Sequence, residues 1–108
     1  MNLDDTLNAV ADPTRRAMLQ RLAFGPATVG QLAALFPISR PAVSQHLKVL
    51  RDAGLVGPLA PARTSPYELV PGPLFLVETW VRDLADRWTS APLHRTPRPA
   101  DHPPKECR

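Results

Sequence analysis

A chain of 108 residues can enclose one small core, which excludes a second domain of similar size. Hydrophobic residues make up 44% but aromatics only 6%, so the core must rest on Leu, Val and Ala. The single cysteine, Cys107, excludes an intramolecular disulfide and suits a reducing compartment, while a net charge of +3 and a pI of about 9.8 suit a polyanionic partner.

The first helix is expected over Leu3 to Val10, with apolar residues at 3, 7 and 10. This N-terminal stretch carries two early acids and no long apolar run, so no signal peptide is expected. No segment reaches the ~18 apolar residues of a membrane span, and cytoplasm is the expected location. Asp12-Pro13 is a helix start, an acceptor at the cap followed by a residue whose missing N–H costs nothing in the first turn. The second helix should run to about Phe24, bury Met18, Leu19 and Leu22, and stop at Gly25-Pro26.

Thr28 can cap a third helix with Val29, Leu32, Ala33 and Phe36 on its apolar side, ended by Pro37. Ser39 can cap a fourth, from about 39 to 53, whose buried stripe is Val43, Leu47 and Leu50. Gly54 is placed for its left-handed terminal turn. The opposite side of this helix shows Arg40, Ser44, Gln45 and Lys48, donors and acceptors of the kind that read base edges and grip phosphates. From Thr28 to Arg63 four basic residues (Arg40, Lys48, Arg51, Arg63) face one acid, Asp52.

Leu55-Val56 and Tyr67 to Val70 read as two short strands, with Pro58, Pro61 and Pro66 limiting the hairpin between them. A last helix from Leu74 to about Trp88 carries the apolar stripe Val77, Trp80, Val81, Leu84 and Trp88. Residues 90–108 hold five prolines and four basic residues with almost no apolar side chains, so a disordered tail is expected after a folded domain of residues 1–89. The fold class is mainly α with a small β-hairpin, about five helices in winged helix-turn-helix order.

Chemistry assigns some of these side chains independently. Arg40 can reach a phosphate or pair bidentately with a guanine, and Gln45 can pair with an adenine edge. Ser39 and Ser44 are short donors suited to phosphate oxygens, Lys48 suits the backbone, and Pro41 fits only a first turn. His46 is divided between a nucleic-acid contact and a half-buried place at the helix edge. Arg15 and Arg16 are divided between phosphate contacts and a solvated face. No metal is expected, since Cys107, His46, His94 and His102 are scattered rather than clustered. Nor is a cofactor or catalysis: there is no phosphate-cradling glycine loop and no nucleophile placed with a base.

The segments ADPTRRAMLQRL, SRPAVSQHLKVLRDAGLV and YELVPGPL, in this order ahead of an amphipathic helix, resemble the ArsR-type winged-helix transcriptional regulators over about residues 3 to 88. That resemblance implies a homodimeric repressor on a palindromic operator in double-stranded DNA. It implies a dimer interface from Leu3, Leu7, Val77, Trp80, Val81, Leu84 and Trp88. It places Ser39, Arg40, Pro41, Ser44, Gln45, His46 and Lys48 in the major groove, with Arg63 on the wing. The wing GPLAPARTSP departs from the family's basic, glycine-tipped hairpins, which keeps open a second reading, a protein-association module with weakened DNA binding. The thiol-rich and histidine-rich metal sites of the family have no counterpart here.

Overall fold

The computed structural model describes residues 2–90; the expected tail from residue 91 onward, with Cys107, lies outside the described residues. The element order is α1 (Leu3–Val10), α2 (Pro13–Leu22), α3 (Val29–Leu35), α4 (Arg40–Asp52), β1 (Val56–Pro58), β2 (Tyr67–Leu69) and α5 (Gly72–Ser90). This is the winged helix-turn-helix expected from the pattern of caps and stripes.

Each of the first four helices begins where a side chain can satisfy an orphan N–H. Asn2, Asp12, Thr28 and Ser39 accept from the backbone N–H of Asp5, Arg15, Gln31 and Ala42 respectively. At α3 the exchange is reciprocal: the Gln31 side chain accepts from the Thr28 N–H at 2.8 Å, completing a capping box. α4 ends in a Schellman turn, with the Gly54 N–H donating to the Arg51 carbonyl and the Leu55 N–H to that of Leu50, both at 2.9 Å. Gly54 has φ +79°, the left-handed conformation that a Cβ penalises.

The core is built chiefly from the apolar stripes of α2, α3 and α4. Met18, Leu19 and Leu22 of α2, Leu32 of α3 and Val43, Leu47 and Leu50 of α4 close over Ala9, Ala27, Leu55 and Val56. Removing these aliphatic surfaces from water is the principal driving force for the fold. α1 packs against α5, so the two chain ends of the domain form one unit beside this core.

Element boundaries differ from expectation at three places. α2 stops at Leu22, and Phe24 lies 92% exposed beyond it, because the chain turns at Gly25 with φ +149°. β1 starts at Val56 and includes Pro58, which pairs with Tyr67 in the antiparallel register Val56–Leu69, Gly57–Glu68. A two-stranded ribbon tolerates proline because its outer edges need no ladder partner. α5 begins at Gly72, two residues early, since Pro73 in a first turn forfeits no intrahelical bond.

The wing is tied down at its root and throat. Ala27 and Tyr67 exchange both backbone hydrogen bonds, at 3.0 and 2.8 Å, making a bridge beside the hairpin. The Ser65 hydroxyl accepts from the Ala60 N–H at 2.9 Å and donates to the Pro66 carbonyl at 3.1 Å. The prolines thus leave a short ribbon carrying a compact loop over residues 59–66, closed by the Leu59 N–H donating to the Pro66 carbonyl.

Candidate nucleic-acid interface

α4 lays its apolar stripe into the core and leaves Arg40, Pro41, Ser44, Gln45 and Lys48 exposed on its outer side. Ser39 is also exposed, but its hydroxyl is occupied in capping, accepting from the Ala42 N–H at 3.3 Å. Ser44 and Gln45 make no hydrogen bond with the described residues, so their donors and acceptors are available to a partner. This is a helix held rigidly from behind and presenting polar side chains in front, the arrangement that a DNA major groove admits.

Lys48 is engaged in the isolated chain. Its Nζ lies 2.9 Å from Asp52 Oδ2, one turn along the exposed side of α4. The hydrogen bond from Lys48 holds the Asp52 carboxyl below its ordinary range. An exposed pair of this kind is weak and screened by salt, so a phosphate can displace Asp52 at small cost.

His46 is half-buried. Its Nδ1 stands 4.0 Å from Asp12 Oδ2, the cap of α2. The Asp12 carboxyl is itself held below the ordinary range, chiefly by the hydrogen bond from the Arg15 N–H, with the charges of Arg15 and His46 adding. His46 therefore stands beside the start of α2 as well as bordering the outer side of α4.

Arg15 and Arg16 are spoken for. Arg15 Nε donates to the Ala9 carbonyl at 2.6 Å and Nη2 to that of Asn8 at 3.1 Å. Arg16 Nη1 donates to the carbonyls of Val10 and Ala11 at 2.8 and 3.0 Å. Both side chains satisfy orphan carbonyls at the C-terminus of α1, where positive charge also complements the helix dipole. They fasten α1 onto α2, a role that sequence alone divided between phosphate contact and solvation.

Arg63 sits exposed at the tip of the wing, and Arg40 is exposed at the first turn of α4. The stripe of α5 is open as well. Val77 is half-buried, whereas Trp80, Val81, Leu84 and Trp88 are 44%, 50%, 55% and 40% exposed. Leu3 and Leu7 of α1 are half-buried beside it. Among the described residues no group of three or more His, Cys, Asp or Glu is placed to hold a metal ion, and no helix is long and apolar enough to cross a membrane.

Comparison with known proteins agrees with this geometry. Residues 12–57, from the cap of α2 to β1, match the family model described as bacterial regulatory protein, arsR family. The HTH-type transcriptional regulator Rv2034 of Mycobacterium tuberculosis is 49% identical over 88 residues, covering 82% of this chain and 79% of the relative. The transcriptional repressor SdpR of Bacillus subtilis is 39% identical over 54 residues, 50% of this chain and 60% of the relative. A crystal structure of an ArsR family transcriptional regulator superposes with a TM-score of 0.77 at 36% identity, covering 83% of this chain and 93% of that one. An ArsR-like transcriptional regulator from Rhodococcus sp. RHA1 gives 0.75 at 26% identity, covering 81% and 80%. With 49% identity over 88 residues to a relative matched along 79% of its length, and the same fold over 83% of the chain, the chain belongs to the arsR family of bacterial regulatory proteins.

Proposed function

We propose that the protein is a homodimeric repressor that binds a palindromic operator in double-stranded DNA through α4. The observation that carries this reading is the two-sided character of α4: a dry stripe of Val43, Leu47 and Leu50 fixes the helix, and Ser44 and Gln45 stand exposed without protein partners. In this reading Gln45 reads a base edge, Ser44 and Lys48 hold the backbone, and Pro41 preorganises the first turn between them. Ser39 acts through the cap it provides, and His46 stands beside the start of α2.

The second copy docks on α5 and α1. A long helix with two tryptophans, a valine and a leucine open to water is costly in a chain this small, and a two-fold partner would cover it. Such a dimer places two α4 helices in successive major grooves, about 34 Å apart. Repression as the mode of action is supported by the similarity to SdpR, a transcriptional repressor.

Retardation of a promoter fragment across a salt series tests the reading. Binding that exceeds that of random DNA and falls steeply with salt is expected. A stable dimer that retards no duplex at low salt would instead favour the protein-association module.

A further inference from the structure

The described basic residues divide sharply by what they touch. Arg15, Arg16 and Arg21 donate to backbone carbonyls, and Lys48 and Arg82 pair with Asp52 and Glu78. Arg40, Arg51, Arg63 and Arg87 have no hydrogen-bond or ion-pair partner among the described residues. Two of these four, Arg40 from α4 and Arg63 from the wing, line one open cleft of about 340 Å³.

Thr28, Val29, Gly30, Thr64 and Ser65 complete that cleft, and no carboxylate lines it. Its hydroxyls differ in availability. Thr28 Oγ1 caps α3 and Ser65 Oγ is committed to the wing, whereas Thr64 makes no bond with the described residues. Arg40 is held close to its wall: a Cβ on Gly30 would stand 2.9 Å from Arg40 Nη2. The guanidinium thus lies beside Gly30 of α3, at the lining of the cleft.

Arg40 and Arg63 bring two positive charges to one cleft that no carboxylate lines, which favours an anion there. Guanidinium forks match tetrahedral oxyanions by paired hydrogen bonds. Resting on the proposed DNA binding, we propose that this cleft is a clamp for a single backbone phosphate of the operator, gripped by Arg40 and Arg63 with the Thr64 hydroxyl as a third donor. Arg40 then positions the duplex and reads no guanine, and the wing and α4 close on the same phosphate.

The test is a scan of neutral methylphosphonate substitutions along a bound duplex, with wild type, Arg40→Ala, Arg63→Ala and the double variant. Among the substitutions that weaken wild type, one in each half-site is silent in both single variants. The salt slope of the double variant falls by about 2 per bound dimer, one phosphate in each half-site.

Two different phosphates for the two arginines, or a slope change of about 4 per bound dimer, would each overturn the clamp while leaving DNA binding intact. Tight binding of inorganic phosphate with a silent scan would assign the cleft to a free phosphate and also overturn it. A wild-type chain that binds no duplex at all overturns the DNA reading itself.

Discussion

Gln45 carries the sequence preference in this account because it is exposed, unengaged and centrally placed on the outer side of α4. Its primary amide both donates and accepts, which suits adenine N6 and N7. Gln45→Ala should therefore cost about 1–3 kcal/mol of discrimination at one base pair while leaving random-duplex affinity almost unchanged, as competition binding would measure. Asp12 makes a second claim at this scale. Its folded pKa lies below the unfolded one, chiefly through the Arg15 N–H, so its stabilisation is complete above the unfolded value, about 4. That stabilisation disappears as pH falls through the lower folded value. Asp12→Asn keeps a cap acceptor and removes the titration. Its thermal midpoint should fall less steeply than that of wild type over roughly pH 6 to 3.

The elements were legible in the sequence wherever the physics is local. A cap acts over three residues and a helix stripe over seven, so Asp12, Thr28, Ser39 and the triplet Val43, Leu47 and Leu50 announce themselves. Contacts between distant positions do not. Nothing in the spacing of Asp12 and His46 signals their approach, and the Ala27–Tyr67 bridge and the Arg40–Arg63 cleft likewise require the folded chain. Arg15 and Arg16 looked like free cations because their acceptors are carbonyls, which any residue supplies. The element-level account is checked by two substitutions of a small side chain. Thr28→Ala removes one half of a capping box and should cost about 1 kcal/mol in chemical denaturation. Gly54→Ala forces a Cβ into the left-handed turn that ends α4 and should cost about 1–2 kcal/mol.

For the whole molecule, the two open faces divide the work. The polar side of α4 and the wing, and the apolar stripe of α5, are made of different residues, so the groups proposed to meet DNA and those proposed to meet a second copy do not overlap. Leu84→Glu places a charge within the proposed two-fold interface without touching the core. Sedimentation should show a shift toward monomer, and palindrome affinity should drop more than half-site affinity. The most direct measurement of the central claim is selection of bound duplexes from a random library. The account predicts an enriched two-fold motif whose half-sites lie about one helical turn apart, lost in part by Gln45→Ala. A selected pool indistinguishable from the input, obtained with a folded protein at low salt, would contradict it.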